Sequence, residues 1–507
     1  MERKNSKRNN IIKIIILGLY FMFNMVLLFR HEMWRDEINV WLMGRDLSVA
    51  ELFREIKYQG HPCLWYLFNM PFAKLGLPCR IMGIFSLGFM SAAAWLFLWY
   101  APFGLIAKTI TLFSPIFTYY YAEIARGYCM VAFLIMVLAY FYKLRNQKPL
   151  FYGLLLGLLV QADTIALPVA GMISAMWLME NLWQSIKEKK KENIILAIKG
   201  LWIPLLSLFL FVFQFYRVSD SPVYEVQDLG LSEFITSTIN YGYWIVERMT
   251  GMAKNGGFII FAVLMVIGIG FGIIYKSVWP FLVLGTTVLF QCVFSVMVYQ
   301  LNIFHFISLC FVYIWMVMVY GQKKEEIADK EALLGGKRRK IEWGMRLLSS
   351  AWIAIYSLLM FVRWNSPEEY SSISNALFGS YSDGVNTAAY IEDNLSTEEL
   401  IITTDVAFTS TIWGFAPDYR AYYAGSGKEN SYADWSEEQT CRITYENMLE
   451  WVKQEFPEKE SFILIQSISS CIDEFAPKQM EVLYRTEVPS VKQEDYTIYR
   501  IKVEDER

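Results

Sequence analysis

The chain has 507 residues and is 55% hydrophobic, 17% aromatic and only 19% charged. Ordinary soluble domains are roughly 45–50% apolar and about 25% charged, so this composition excludes both a conventional soluble protein and a disordered one. The net charge of −3 excludes a strongly basic nucleic-acid binder but hides a division: residues 364–507 carry 11 Lys+Arg against 27 Asp+Glu, and residues 1–363 carry 35 against 22.

A membrane-crossing helix takes about 20 mostly apolar residues. Such stretches fall at about 11–29, 62–78, 81–100, 102–121, 128–142, 150–180 (one or two passes), 198–216, 257–275, 278–299, 302–320 and 347–363. They predict an α-helical polytopic membrane protein with about 11–13 transmembrane helices. Residues 11–29 run into Arg30-His31-Glu32 with no small-residue cleavage site, unlike a signal peptide.

Short loops rich in Lys and Arg stay cytoplasmic. Three basic clusters qualify: Arg3, Lys4, Lys7 and Arg8; Lys189-Lys190-Lys191; and the segment from Lys323 to Arg346. They predict a cytoplasmic N-terminus, a first loop at 30–61 on the outer face of the cell membrane, and an extracytoplasmic C-terminus. The expected domains are therefore a transmembrane part, 1–363, and a small soluble α/β domain, 364–507. In the latter, "LIITTD" (400–405), "SFILIQS" (461–467) and "YTIYRIKV" (496–503) read as strands, and "TYENMLEWVKQEF" (444–456) as a helix.

The seven cysteines form no CxxC or Cys/His cluster, which argues against a zinc site. Cys441 and Cys471 are the two in the acidic part, and spacing alone does not decide whether they pair. No phosphate-binding loop, dinucleotide fingerprint or hydrolase elbow occurs in a supporting context. The longest inner loop, about 322–346, is too short for a nucleotide-sugar domain, which favours a lipid-linked donor for any sugar chemistry.

Residues 30–69 stand out, being dense in charge and aromatics between two apolar stretches. Asp36 and Glu37 lie just past the first helix. "SVAELFREI" reads as a short helix capped by Ser48, with Glu51 closing a capping box and Val49, Leu52, Phe53 and Ile56 on one face. "GHP" (60–62) then stops it. A carboxylate at a hydrocarbon boundary can accept a proton from an attacking hydroxyl or hold a cation beside a phosphate. It can equally be a solvated charge paired with Arg35 or Arg45.

An acidic pair soon after the first helix, an amphipathic helix, "GHP-x-LWY" leading into the next apolar stretch, and many later spans resemble the GT-C superfamily of membrane glycosyltransferases. The likeness is to bacterial members of the protein O-mannosyltransferase and aminoarabinose-transferase branch. The resemblance implies a polyprenyl-phosphate sugar donor, membrane lipids and an extracytoplasmic acceptor as partners, and no nucleic acid. It implies a catalytic base, or a site for acceptor or a divalent metal, at Asp36 and Glu37. His61-Pro62 matches the family's "HPP" or "KPP", with Cys63 in place of the second proline. It covers 11–180 well and later spans in outline, and assigns nothing to the C-terminal domain.

Further polar groups lie among or beside the apolar stretches. Arg126 and Tyr128 match an Arg-x-Tyr element of the family and suit a phosphate oxygen, or Arg126 pairs with Glu123 at helical spacing. Three apparent spans separate His61 from Arg126, which places them on opposite faces unless one fails to cross. Asp163, beside Gln161, reads as a substrate-pocket residue or a helix-packing group. His305 lies where the family often has Arg-His; here Phe304 replaces the Arg, which favours a structural histidine. Arg217, after the span ending at Tyr216, is another phosphate partner. The sequence thus predicts a glycosyltransferase acting on a cell-envelope glycan, lipid or protein, with a transporter or flippase of lipid-linked precursors, or a catalytically degenerate envelope scaffold, as rivals. Transporters tend to show two half-repeats with interrupted helices, and none is visible.

Overall fold

A computed structural model describes residues 2–216, 227–252, 254–328, 336–365, 373–429, 431–433, 435–437, 441–468, 472–473 and 480–503. The described residues fall into two compact units. One gathers 2–26, 85–214 and 227–365; the other is chiefly 27–84 and 373–503. The first loop thus groups with the acidic C-terminal part.

The first unit is helical. Among the described residues, eight helices in the chain are long and apolar enough to cross a membrane. Their burial is uneven: the window in Ile303–Lys323 is 83% buried, those in Lys7–Arg30 and Glu192–Phe215 only 17%. The former is the centre of the bundle; the latter present Ile14 and Met22 of the first helix, and Ile198, Phe209 and Phe213 of the second, outward, as lipid-facing helices do. Tyr128–Tyr140, with Met130 through Ala139 mostly buried, packs against Ile303–Ala328. Helices Pro149–Ala162 and Glu192–Phe215 cross closely because a Cβ on Gly153 would run into the Gly200 carbonyl, the small-residue device of membrane helix pairs. Glu180 accepts from Arg145 (3.1 Å), Lys323 (2.6 Å) and Tyr142 (3.0 Å), closing a charged cluster between three segments.

Several expected spans take another form. The stretch 62–78 yields only Leu64–Lys74, with Pro71 inside, about 16 Å long at 1.5 Å per residue. The stretch 102–121 breaks after Leu105–Leu112 into turns and one π-helical turn, Tyr119–Glu123. Such breaks are tolerated at membrane depth where protein surrounds them, and Thr111, Ser114 and Thr118 are buried here. The stretch 150–180 is two helices, parted where Asp163 caps the turn Thr164–Ala166. Leu231–Thr250 is an unforeseen helix, too polar along its length to be among the eight, with Glu233, Glu247 and Arg248 on it.

The second unit is α/β. A six-stranded sheet has the order β3-β2-β1-β5-β8-β7, with β1 Ile401–Thr403, β2 Tyr422–Tyr423, β3 Lys428–Glu429, β5 Ser461–Gln466, β7 Met480–Arg485 and β8 Thr497–Lys502. Strands β4 Ile443–Thr444 and β6 Ile472–Asp473 form a separate pair. β1 is parallel to β2 and β5, and β8 runs antiparallel between β5 and β7. The expected strands at 400–405, 461–467 and 496–503 and the helix at 444–456 (Tyr445–Glu455, capped by Thr444) all form. Ile402, Leu464, Ile501, Met448 and Val452 share its core. Helix Val406–Phe415, capped by Asp405, packs on the first-loop helix Arg35–Asp46, where Gly414 admits Ile38. The predicted capping box at Ser48 and Glu51 is present on Val49–Glu55.

Candidate active site

The first transmembrane helix ends at Arg30, and after four intervening residues Arg35–Asp46 begins. Glu37, the third residue of that helix, folds back to accept the Trp34 backbone N–H (3.2 Å), half of a capping box. The same oxygen lies 2.7 Å from His31 Nε2, and the Glu37 side chain is 0% exposed. His31 in turn packs edge-on against Tyr381 at 4.8 Å.

Asp36 differs from its neighbour. Successive residues on a helix project about 100° apart. Asp36 therefore turns from Glu37 and keeps 26% of its side chain exposed. Its Oδ1 is 3.9 Å from Arg35 Nε. Arg45, the other expected partner, pairs with Asp46 instead (2.7 Å) and donates to the Trp413 carbonyl (2.9 Å).

The C-terminal domain holds this loop through named bonds. Glu32 accepts from the backbone N–H of Tyr381 (2.6 Å) and Ser382 (3.2 Å) and from Ser380 Oγ (3.0 Å). Arg35 donates to Glu494 Oε1 through its backbone nitrogen (2.9 Å) and Nη1 (3.3 Å). Asn39 exchanges bonds with both backbone groups of Ala433, at 2.8 and 3.1 Å. Lys492 sits over the Trp34 ring (3.9 Å) and near that of Tyr381 (5.2 Å). Burial pulls its ammonium down to about 8, against the opposing pull of Asp36. Burial likewise pushes the Glu494 carboxyl up to about 7, against the Arg35 guanidinium. His61 is half-buried in the turn after Gly60, whose φ of 69° that turn requires.

The remaining candidates lie in the helical unit. Arg126 packs over the Tyr128 ring at 5.1 Å, and Tyr128 Oη is 3.1 Å from His305 Nε2. The Asn302 backbone N–H donates to His305 Nδ1 (3.1 Å). This bond assigns the ring proton to Nε2, which donates to the tyrosine oxygen. Tyr121 stacks on Tyr128 (5.4 Å) and donates to the Phe304 carbonyl (2.9 Å). The backbone turns extended at Ile124, so Glu123 and Arg126 are not at helical spacing. Asp163 accepts from the Ile165 backbone, while Gln161 donates to Ser207 and accepts from Gln214, a helix-packing network. Arg217 and Cys471 lie outside the described residues; Cys441 is exposed with a free thiol.

The structure thus joins Arg126, Tyr128 and His305 in one cluster and places Asp36, Glu37 and His61 in the other unit. Glu32, Lys492 and Glu494 escaped sequence reasoning because no spacing signal links positions hundreds of residues apart; His31, six residues from Glu37, escaped it because the strap between the two helices carries no periodic pattern. A metal shared by Asp36 and Glu37 does not fit, because the carboxylates point apart and Glu37's is committed to His31 and Trp34. Among the described residues no group of three or more His, Cys, Asp or Glu side chains converges as metal ligands.

These features define a multi-pass helical membrane protein with a small C-terminal sheet domain. Two solved structures share that fold, both of ArnT, an aminoarabinose transferase, from Cupriavidus metallidurans. One is bound to undecaprenyl phosphate (TM-score 0.52, 12% identity, 97% of each chain covered), the other is in the apo state (0.52, 12%, 98% of each). No family model and no curated protein matches the chain in sequence.

Proposed function

We propose that the protein is a membrane glycosyltransferase that moves a sugar from a polyprenyl-phosphate donor to an extracytoplasmic acceptor. The observation that carries this reading is Asp36. It is a partly exposed carboxylate on a loop held fixed along its length, in a chain whose fold is that of an enzyme crystallised with undecaprenyl phosphate. Asp36 takes the proton of the acceptor hydroxyl as its oxygen bonds to the sugar C1. The C1–oxygen bond to phosphate breaks, and its electron pair leaves with the polyprenyl phosphate. One base and one displacement favour inversion at C1. Glu37, buried against His31, holds the loop, and His61 shapes the pocket.

Membrane topology supports the reading. The eight long helices, with 105–123, Tyr128–Tyr140 and Pro149–Ala162 as shorter passes, make eleven crossings. An odd number starting inside puts the C-terminal domain outside and keeps Lys189–Lys191 and the Lys323–Arg346 segment cytoplasmic. Leu64–Lys74, with Pro71 inside, is not counted among these crossings. Within the helical unit, Arg126 is suited to a phosphate oxygen of the donor. The test is direct: membranes carrying the chain, given radiolabelled polyprenyl-phosphate sugars, should transfer label from the lipid to an envelope fraction. Label that stays on the polyprenyl-phosphate donor across the panel refutes the proposal.

A further inference from the structure

We infer that Glu494 is a positioning residue for Asp36, acting through Arg35; the inference rests on the reading of Asp36 as base. The Glu494 side chain is wholly buried, and its two oxygens have four donors. Oε1 takes the Arg35 backbone N–H and Nη1; Oε2 takes Ser382 Oγ (2.6 Å) and Thr411 Oγ1 (2.9 Å). One carboxylate therefore ties the first residue of the helix Arg35–Asp46 to two elements of the C-terminal domain.

The guanidinium is fixed on a second side by the Phe408 ring, 4.0 Å from its central carbon. Its Nε edge faces Asp36 at 3.9 Å. The chain Glu494–Arg35–Asp36 shares one cation between two carboxylates. Glu494 draws the guanidinium inward, and that sets how much of its charge Asp36 feels. A base needs its lone pair available, so a cation drawn wholly to Asp36 weakens it. Lys492, two residues before Glu494, brings a second cation toward Asp36 from the same segment. The C-terminal domain thereby sets both the place and the basicity of the carboxylate.

The test compares Glu494→Gln with Asp36→Asn in the full chain, assayed with radiolabelled polyprenyl-phosphate sugars. In Glu494→Gln, Arg35 turns its charge to Asp36. The expected result is a fall of about tenfold or more in kcat above pH 7, where Glu494 is ionised, with donor KM within about twofold of wild type and loss of the step that Glu494 puts in the pH profile near 7. If Glu494→Gln does not accumulate, Thr411→Val removes one donor to the Glu494 carboxylate, pushes its carboxyl further up and weakens its hold on Arg35, so it should change the profile in the same direction as Glu494→Gln, by less. A lowered melting temperature with unchanged kcat and pH profile in both variants overturns the inference and makes Glu494 a structural residue. Full activity in Asp36→Asn overturns instead the reading of the base. An inactive Asp36→Asn beside a wild-type-like Glu494→Gln overturns only the positioning role.

Discussion

His31 and Glu37 meet at 2.7 Å with side chains 1% and 0% exposed, joining the strap after the first transmembrane helix to the first turn of Arg35–Asp46. Removing one partner of a buried pair typically costs about 3–5 kcal/mol, because the other is left unpaired. Glu37→Ala should lower the melting temperature of the detergent-solubilised protein sharply. Glu37→Gln, which keeps an acceptor for the Trp34 N–H, should lower it less. Equal, small losses in both would mean the pair does not fasten the loop.

Glu32 makes a second fastening. Glu32→Ala strands the N–H groups of Tyr381 and Ser382, at roughly 1–3 kcal/mol for each buried donor left unmade. The loop should then open more often. Limited proteolysis in the 30–61 segment should be several-fold faster than in wild type, with cleavage elsewhere unchanged.

Glu494 and Lys492 give a pH dependence with definite signs. The Glu494 carboxyl is raised to about 7, so its contribution to stability is full below about 4.5 and lost as pH rises through 7. The Lys492 ammonium is lowered to about 8, so its contribution is full above about 10.5 and lost as pH falls through 8. The melting temperature should fall between pH 5 and 7 and rise between pH 8 and 10. Glu494→Gln should flatten the first slope and Lys492→Met the second.

Arg126 is the cation proposed for the donor phosphate. A charge-assisted hydrogen bond is worth about 1.5–3 kcal/mol, so Arg126→Ala should raise the donor KM by about tenfold or more, with Arg126→Lys in between. An unchanged donor KM would return Arg126 to a structural role over the Tyr128 ring.

Much of this was legible in the sequence where a pattern is local. Ser48 and Glu51 announced a helix start, alternation announced β8, and the apolar runs announced the long helices. Hydropathy overestimated the helix in 62–78 and missed the break inside 102–121, since it counts apolar residues and is blind to where protein replaces lipid around a broken helix. It also passed over Leu231–Thr250, whose polar residues interrupt the run. The partners of the acidic pair were not legible. Arg35 meets Glu494 across 459 positions, and only the folded sheet brings β8's approach beside the first loop. Asp36 and Glu37 looked like one pair; helical geometry separates them into an accessible carboxylate and a buried one.

The measurement that bears most directly on the account is sugar transfer by Asp36→Asn at normal membrane levels, from the labelled polyprenyl-phosphate sugar the wild type uses. Loss of a general base should cut the rate by about 10²–10⁴-fold while the donor still binds, because asparagine keeps the shape but cannot take the proton. Transfer at the wild-type rate would contradict the assignment of Asp36 and the mechanism built on it.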